Sequence, residues 1–576
     1  MAPTASAPSD RDLLSVQEAR TLAARAKRSA SALADLSQGQ IDRLVEAMAA
    51  AARSRAEELA RLAVEETGYG VVADKIQKNL FSSDRVYDFI RPMKTVGVIG
   101  RDDERKVIEI AEPFGVVAAI VPSTNPTSTA IYKLLISIKA RCPIVISPHP
   151  AATRCITRVA EVMTEAALAT GLPEGAINWM RTVTLEGTQE LMKHRDVALI
   201  LATGGMGLVR AAYSAGKPAY GVGPGNAPCF IERTADVPKA VSDIIIGKTF
   251  DHGVLCSSPN SVVVESTIAN EAHREFTRQG SYFLKPVEAD ALARVLVSPQ
   301  RLPNPKLVGK SAAFLAEQAG ISIPAGTRVL IAPLTGVGRD YPLSIEKLCP
   351  VLSYYVVSDW REGCERCIQI LRYGGMGHTM SIHSQNEPVI LEFGLKKPAF
   401  RICVNTPTTH GSIGLTTGLD PSMMLGCGGF GGNITSDNIT PKHLLNIKRL
   451  AYELRPALRR AGTSEVLASA APSISGGTTR RLPQVATPVE AGLSAQAVSR
   501  QIEAYTKESR PPGGSAADIG PTPVDFVCEE DVRLAIKAGQ RIGVHDRTLI
   551  TPAARDLGEA HKIFVSFDRR GPLASA

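Results

Sequence analysis

A cysteine with room around it is the residue of this sequence best suited to covalent chemistry. Cys256 lies in the segment Phe-Asp-His-Gly-Val-Leu-Cys-Ser-Ser, residues 250–258. A thiol is acidic and polarisable enough to add to a carbonyl carbon. Gly253 and Ser257 leave backbone space around the sulfur, whereas the usual fate of a cysteine is burial in a core. Cys256 is therefore a candidate nucleophile, with a buried structural cysteine as the alternative.

The elements that must position this cysteine alternate between strands and helices. β-Branched apolar runs that alternate with helices predict a parallel sheet covered on both faces, with a nucleotide at the carboxyl ends of its strands. A helix over 236–250 leads to Cys256, a strand follows from Ser261, and a second α/β region continues to about residue 445. The predicted strands of the first sheet start near Gly115, Pro143, Ala176 and Val197, and its helices span 128–140, 151–170 and 207–215.

The composition is that of a soluble globular protein of two or three domains. The chain has 576 residues, of which 44% are hydrophobic and 21% charged, with a net charge of +8. No Lys/Arg cluster is interleaved with aromatic residues, so we expect no nucleic-acid partner. No apolar run reaches the ~20 residues of a membrane span, and the first residues are not a secretory signal. Ten scattered cysteines indicate reduced thiols in a cytosolic compartment.

A metal site is not expected from the sequence. Cys364 and Cys367 form a C-x-x-C pair, but no second pair and no histidine at zinc spacing accompany it. A helix face with two ordinary thiols is therefore the preferred interpretation. His378 and His383 lack a third ligand nearby, and we expect them to be a helix cap or core histidines.

Six segments, in order along the chain, resemble the aldehyde dehydrogenase superfamily, and specifically its CoA-acylating branch. The resemblance covers roughly residues 13 to 455 and implies the α/β fold of that family. A single glycine-rich stretch would mean little, whereas several in order are specific. The segments are residues 121–129, 147–150, 202–207, 216–226, 377–384 and 425–433.

The resemblance implies a role for each of the matching positions. Cys256 would be the nucleophile that forms a thiohemiacetal and then a thioester. Asn125, fixed by an Asn-Pro turn, would donate its amide to the oxyanion together with the backbone N–H of Cys256. Glu346 would hold the nicotinamide ribose. The remaining positions expected around the cofactor are Thr124, Ser147, His149, Thr203, Gly204, Gly205, Met206 and Gly223.

One departure from the hydrolytic relatives decides the branch. They carry Glu-Leu-Gly-Gly-Lys-x-Pro where this chain has Gly-Val-Gly-Pro-Gly-Asn-Ala-Pro, residues 221–228. Aligning on Pro228 places Val222 where those enzymes have their general-base glutamate. Without a base a thioester hydrolyses slowly, so the thiol of coenzyme A is the expected acceptor. His252 replaces the asparagine common before the cysteine, which leaves the contacts of the aldehyde pocket open.

A second departure bears on the cofactor. Hydrolytic relatives use Lys-Pro-x-Glu after the second strand, whereas this chain has Ser-Pro-His-Pro, residues 147–150. The acidic residue that would bind the hydroxyls of the adenosine ribose is missing. The cofactor preference of the family is therefore the only ground for expecting NAD rather than NADP. Coenzyme A is expected as co-substrate.

The resemblance also sets the expected domains. We expect a disordered terminus over 1–12, an NAD/CoA-binding domain over 13–235 with an oligomerisation hairpin at 94–113, and a catalytic cysteine domain over 236–445. Residues 446–461 would return to the oligomerisation region. The hairpin, with residues 100–103 as its turn region, would pair subunits into a dimer or a dimer of dimers.

The C-terminal part indicates a different task. Residues 462–525 are rich in Pro, Ser, Gly and Ala and predict a linker that carries an amphipathic helix over 493–508, with Val498, Ile502 and Tyr505 on one face. A small module follows over 526–576. Both features are similar to appendages of bacterial microcompartment enzymes, which implies shell-protein partners and a place in the compartment lumen within the cytoplasm. A tether without a partner is the alternative.

The combined expectation is oxidation of propionaldehyde or acetaldehyde to acyl-CoA with reduction of NAD. Sulfoacetaldehyde is the alternative substrate and would require a basic residue in the pocket. A shell-associated scaffold without catalysis is the alternative from another class. Retention of Cys256 and Asn125 argues against the scaffold.

Overall fold

The apolar runs of the chain form the predicted parallel sheets, which confirms the α/β fold class. The structure, a computed structural model, describes residues 10–455, 524, 526–544 and 548–566. The chain divides into two compact units, residues 1–458 and 459–576. The helices of the first unit are α1 (Asp10–Ala34), α2 (Gln38–Ser54), α3 (Ala56–Thr67), α4 (Val72–Leu80), α5 (Tyr87–Ile90), α6 (Pro126–Lys139), α7 (Thr153–Ala169), α8 (Leu185–Lys193), α9 (Met206–Tyr213), α10 (Val237–Thr249), α11 (Ser266–Arg278), α12 (Pro286–Leu296), α13 (Ala312–Gln318), α14 (Trp360–Tyr373), α15 (Glu387–Lys396) and α16 (Thr408–Ser412).

The first unit contains three sheets. Its strands are β1 (Gly97–Asp102), β2 (Val107–Pro113), β3 (Val116–Val121), β4 (Ile144–Pro148), β5 (Ile177–Trp179), β6 (Val197–Thr203), β7 (Ala219–Val222), β8 (Ala227–Ile231), β9 (Pro259–Glu265), β10 (Ser281–Phe283), β11 (Val329–Pro333), β12 (Val351–Val357), β13 (Gly377–His383), β14 (Ala399–Val404) and β15 (Leu445–Ala451). A parallel five-stranded sheet has the order β5-β4-β3-β6-β7, and a parallel seven-stranded sheet has the order β10-β11-β12-β9-β8-β13-β14.

Strand β3 and helix α6 form the centre of the first core. Every residue of both elements is buried, as expected where helices cover both faces of a parallel sheet. The continuous run Val-Val-Ala-Ala-Ile-Val suits such a strand because it has no polar face. The carboxyl ends of β3, β4, β6 and β7 consequently meet at one edge, and this edge positions the site.

The predicted hairpin is part of a larger sheet. Strands β1, β2 and β15 form an antiparallel three-stranded sheet, in which Ile447 of β15 lies opposite Ala111 of β2. The predicted turn region, residues 100–103, begins too early, because residues 100–102 belong to β1, with Gly100 at a register shift, and the connection follows at residues 103–106. A glycine inside a strand often marks such an irregularity. Helix α1 begins at Asp10, inside the segment 1–12 that was expected to be disordered.

The second unit is small. Strand β16 (Phe526–Val527) pairs with β18 (Leu549–Ile550), and β17 (Ile542–Val544) pairs with β19 (Phe564–Ser566), both in parallel. Helices α17 (Glu529–Ala538) and α18 (Pro552–Ala560) complete it. The core contains Val527, Val532, Ala535, Val544, Ala554 and Ile563. The predicted helix over 493–508 and almost all of the predicted linker lie outside the described residues.

Two findings concern what the described residues do not contain. Within the ranges given above, no helix has the length and apolar character required to cross a membrane. In the same ranges, no group of three or more His, Cys, Asp or Glu side chains is arranged to hold a metal ion.

Candidate active site

A cavity of ≈ 450 Å³ lies at the carboxyl ends of the five-stranded sheet. Residues that follow β3, β4, β6 and β7 line it, together with the loop that carries Cys256. Of the predicted site residues, the cavity lining includes Cys256, Asn125, Thr124, Ser147, His149, Thr203, Gly204, Gly205, Gly223 and Glu346.

Met206 is the predicted site residue that the structure places outside this lining. It is the first residue of α9 and is 47% exposed. A Cβ atom at Gly223 would lie 3.1 Å from its sulfur. Met206 therefore packs beside the cavity wall rather than within it, because the turn at Gly204 and Gly205 directs the chain away before the helix begins.

The loop that carries Cys256 has an unusual backbone. After α10 ends, Asp251 and His252 both adopt left-handed conformations, with φ of 50° and 52°, and Gly253 follows with φ of 74°. Non-glycine residues adopt this region rarely, and consecutive ones indicate that surrounding contacts hold the chain there. Cys256 then lies in the turn that precedes β9.

A glycine makes room for the backbone of Cys256. A Cβ atom at Gly225 would lie 2.1 Å from the carbonyl oxygen of Cys256 and 3.2 Å from the ring of His378. Only glycine fits at such a distance from backbone atoms. The loop before β8 thereby packs directly against the main chain of Cys256.

Exposure separates Cys256 from the other cysteines. None of the ten cysteines forms a disulfide, and Cys256 and Cys528 are the two that are partly exposed. The other eight are buried, as expected of structural thiols. Within the first unit, Cys256 is therefore the cysteine that a ligand can reach.

The surroundings of Cys256 favour the protonated thiol. Burial raises the pKa of Cys256 to about 12, and the negative charges of Glu346 and Cys427 act in the same direction. The guanidinium of Arg401 acts in the opposite direction. Below its pKa a thiol gains about tenfold in thiolate fraction for each pH unit, and the thiolate is the nucleophile.

This environment predicts the pH dependence of Cys256 reactivity. Alkylation of Cys256 by iodoacetamide, followed by mass spectrometry, should accelerate steeply between about pH 6 and pH 9 because the thiol is largely protonated there. Glu346→Gln keeps the shape and removes the nearby charge, so it should speed alkylation at the upper end of this range. A rate that does not change with pH would contradict the raised pKa.

Asn125 precedes the first residue of α6 and lies against the cavity. Its Oδ1 accepts a hydrogen bond from Lys78 Nζ at 2.7 Å, and its Nδ2 lies 3.2 Å from Thr124 Oγ1. The Asn125 side chain is nine-tenths buried. The amide is thus held at its oxygen by Lys78, while its nitrogen donates to Thr124 Oγ1 and keeps a second N–H that could donate to a ligand.

The end of the cavity at β4 and β6 has the donors and the space that a nucleotide requires. Ser147 Oγ and Thr188 Oγ1 lie 2.8 Å apart. Nδ1 of His149 accepts from the N–H of Ala151, which leaves its other ring nitrogen as a donor. Burial lowers the pKa of His149, so its imidazole is neutral near pH 7. A buried Thr203 Oγ1 has no partner within the described residues, and these groups fit the ribose and phosphates of a dinucleotide.

Glu346 lies between this end and the cysteine. Burial raises the pKa of Glu346 to about 8, while the N–H of Gly225 and the ammonium groups of Lys248 and Lys347 lower it. Gly225 N donates to Glu346 Oε1 at 2.9 Å. The carboxyl group is therefore mostly neutral at pH 7, which makes it a poor base and a suitable partner for a sugar hydroxyl.

Val222 closes the cavity where a base would be expected in a hydrolytic enzyme. It is the last residue of β7, is 2% exposed and lines the cavity together with Cys256. Within the described chain, Glu346 is the single Asp or Glu among the lining residues. Because Glu346 is largely protonated near neutrality, no strong base faces the cysteine.

His378 is a core histidine, one of the two roles expected for it: it is fully buried beside Gly225, and burial together with Arg401 lowers its pKa to about 3. The buried charges around this site were not predicted from the sequence. Arg401 donates to the carbonyl of Ser436 at 2.9 Å and is 2% exposed. Lysines 75 and 78 of α4 contact Asp251. No sequence pattern identifies these residues, because their partners lie far away in the chain.

Comparison with known proteins identifies the family and the fold. The profile of the aldehyde dehydrogenase family matches residues 9–284. The chain is 42% identical over 441 residues to the bifunctional aldehyde-alcohol dehydrogenase of Escherichia coli, a match that covers 76% of this chain and 49% of that protein. The chain thus spans about half the length of the curated relatives it matches first.

Two solved structures extend the likeness to three dimensions. An acetylating aldehyde dehydrogenase from Geobacillus thermoglucosidasius superposes with a TM-score of 0.77 at 49% identity, covering 78% of this chain and 100% of that one. A propionaldehyde dehydrogenase from the fucose utilisation bacterial microcompartment of Clostridium phytofermentans gives a TM-score of 0.68 at 28% identity, covering 77% and 99%.

Proposed function

Because the chain belongs to the aldehyde dehydrogenase family, we propose that it oxidises a short-chain aldehyde to the corresponding acyl-CoA. The observation that carries this proposal is that Cys256, Asn125 and Val222 line one cavity. The cavity thus combines a nucleophile and an oxyanion donor with an apolar residue where a hydrolytic enzyme needs its base. The test is formation of NADH and acyl-CoA in equal amounts from aldehyde, NAD+ and CoA.

The proposed reaction has two halves, formation of a thioester on Cys256 and transfer of the acyl group to CoA. The thiolate of Cys256 adds to the aldehyde carbon, and the carbonyl oxygen becomes an oxyanion that Asn125 Nδ2 and the N–H of Cys256 stabilise. As the oxyanion re-forms a carbonyl, the aldehyde carbon releases a hydride, and a nicotinamide held by Glu346 and the turn at Gly204 would supply the acceptor. The resulting thioester on Cys256 is attacked by the CoA thiolate, which forms acyl-CoA and releases the cysteine thiolate. Val222 leaves water without a base in the second half.

NAD is the proposed cofactor. Ser147, His149, Thr203 and the turn at Gly204 would bind its adenosine and phosphates, and Glu346 would bind the nicotinamide ribose. Pro150 stands where the hydrolytic relatives carry the glutamate that would exclude a ribose phosphate, so the segment 147–150 has no carboxylate that rejects NADP. Parallel assays with both cofactors measure the preference directly.

Propionaldehyde and acetaldehyde are the proposed substrates. A sulfonate would need a cation, and the cavity lining includes no Lys or Arg among the residues described. Sulfoacetaldehyde should therefore be turned over more slowly than propionaldehyde. A higher kcat/KM for sulfoacetaldehyde would reverse the assignment, and no NADH from any aldehyde would favour a scaffold without catalysis.

We expect a dimer or a dimer of dimers. The three-stranded sheet presents apolar side chains to solvent, with Val98 55% and Leu450 49% exposed, and Tyr452, directly after β15, is 58% exposed. Exposed apolar groups on a sheet with open edges favour pairing with another subunit. Light scattering at micromolar concentration should give at least twice the monomer mass, while a monomer would contradict the proposal.

The C-terminal part is proposed to attach the enzyme to a microcompartment shell. The second unit has a core of its own, and the cavity is lined by residues of the first unit. Removal of residues 462–576 should therefore leave turnover nearly intact and abolish co-purification with shell proteins. A truncated enzyme that loses activity but still travels with shells would show that the tail belongs to the catalytic fold.

A further inference from the structure

A buried cluster of charges lies behind the oxyanion donor. Lys75 and Lys78 lie on α4 and are 1% and 2% exposed, and both ammonium groups contact the same carboxylate oxygen of Asp251. Lys75 Nζ lies 3.0 Å from this oxygen. Buried charges cost free energy unless each is paired and hydrogen-bonded, so the pairing must be held in place by the fold.

Asp251 is bound on all sides. Its other carboxylate oxygen accepts from the N–H of Val71 at 2.8 Å, and its own N–H donates to Asp74 Oδ2 at 2.7 Å. A Cβ atom at Gly70 would lie 1.8 Å from Asp251 Oδ1, so glycine is required there. These contacts account for the left-handed backbone of Asp251, which lies five residues before Cys256.

Lys78 differs from Lys75 in what else it touches. Lys78 Nζ donates to Asn125 Oδ1 at 2.7 Å, whereas Lys75 Nζ reaches only the backbone carbonyl of Thr124, at 3.4 Å. Burial lowers the pKa of Lys78 to about 8, and Asp251 opposes that shift, so the ammonium prevails at neutral pH. An ammonium has donors and no acceptor. The atom of the amide that faces Lys78 must therefore be the oxygen.

We propose that Lys78 is a positioning residue that orients the Asn125 amide, so that Nδ2 stays available to the oxyanion formed at Cys256. The oxygen and the nitrogen of the amide are nearly equal in size. Without Lys78, the Asn125 side chain would therefore flip between the orientation that presents Nδ2 to the oxyanion and the one that presents Oδ1. Asp251 completes the arrangement, because it holds Lys78 and also belongs to the loop that carries Cys256. The donor and the nucleophile thus share one rigid support.

The inference rests on the proposed roles of Cys256 and Asn125. Its test measures only the rate of the step in which an oxyanion forms at Cys256. Para-nitrophenyl acetate is the probe. Its carbonyl is attacked by the Cys256 thiolate, the oxyanion forms, and nitrophenolate leaves as the acetyl thioester forms. The reaction consumes neither NAD+ nor CoA. Lack of NADH formation in the wild type would therefore overturn the proposed function, while acetylation of Cys256 still tests the role of Lys78.

The experiment is a double-mutant cycle on the acetylation rate of Cys256, measured by nitrophenolate release and by mass spectrometry. Asn125→Ala should slow acetylation by ~10²-fold, as for other lost oxyanion donors. Lys78→Met should slow it by about tenfold, because a free amide still samples the correct orientation. In the Asn125→Ala background Lys78→Met should have no further effect, since no amide remains to be oriented.

Lys75→Met is the matched control. It removes a lysine of the same helix, with the same burial and the same Asp251 partner, so urea unfolding should show a comparable loss of stability. Its effect on acetylation should be the same with and without Asn125. A Lys78→Met effect that is equally large in both backgrounds, or no effect at all, overturns the proposal.

Lys78→Gln provides a second variant should Lys78→Met fail to fold. Its amide nitrogen can still donate to Asn125 Oδ1 without a charge, so acetylation should stay within a few-fold of wild type. Acetylation by folded Lys78→Gln at the Asn125→Ala rate would show that donation to Asn125 is not what Lys78 supplies, and would overturn the proposal.

Discussion

Cys256→Ala is expected to reduce aldehyde oxidation by on the order of 10⁴-fold or more, since loss of a covalent nucleophile removes the first bond-forming step. Cys256 provides the one thiol among the cavity-lining residues described, and a thiol is a better nucleophile than the hydroxyls beside it. The measurement is NADH absorbance under saturating CoA, with the acyl adduct followed by mass spectrometry.

The matched control for this variant is Cys155→Ala. Cys155 is fully buried in α7 and does not line the cavity. Cys155→Ala also removes one thiol, but from the core. It should reduce the free energy of unfolding while leaving kcat within a few-fold of wild type. A folded Cys256→Ala variant that retains a tenth of the activity would exclude a covalent mechanism.

Omission of CoA is expected to have the second largest effect. NADH should then form in a burst of about one equivalent per active site and stop, because the thioester on Cys256 has no acceptor and Val222 cannot activate water. General bases contribute about 10² to 10⁴ in rate, and steady turnover without CoA should be lower by a factor of this size. Equal turnover with and without CoA would overturn the acylating assignment.

Substitution at Val222 tests whether the missing base is what prevents hydrolysis of the thioester, by introducing a base instead of omitting CoA. In folded Val222→Glu protein the rate without CoA should rise, because the carboxylate lies in the cavity wall shared with Cys256 and can deprotonate water. Val222→Gln has nearly the same shape and no basic group, so it should remain dependent on CoA. Similar rates for the two variants would show that cavity shape, and not the missing base, limits hydrolysis.

Residues whose chemistry is local in sequence could be predicted from the chain alone. Thr203, Gly204 and Gly205 follow an apolar strand directly, and parallel strands end at a common edge, so their presence in one cavity follows from the alternation of strands and helices. Asn125 and Cys256 belong to segments whose order along the chain indicated the family. The fold class required no more than these patterns.

The charges that support the site could not be predicted in this way. A lysine on a helix is usually solvated, and Lys78 lies 173 residues from its partner Asp251. Helical periodicity shows which face a residue occupies but not which distant loop packs on it. The position of Gly100 within β1 could not be predicted for a similar reason. The strand extends through Gly100 because it pairs with β2, and not because glycine itself favours a strand.

The pairing of β15 with β2 has a consequence for the order in which the protein is made. Residues 107–113 leave the ribosome long before residues 445–451, yet they form one ladder. Until then, an edge of β2 has unpaired N–H and C=O groups on a growing chain, and such an edge attracts other strands. The nascent protein therefore spends most of its synthesis with this sheet unfinished, which makes β2 the segment where chaperone binding during translation should be sought.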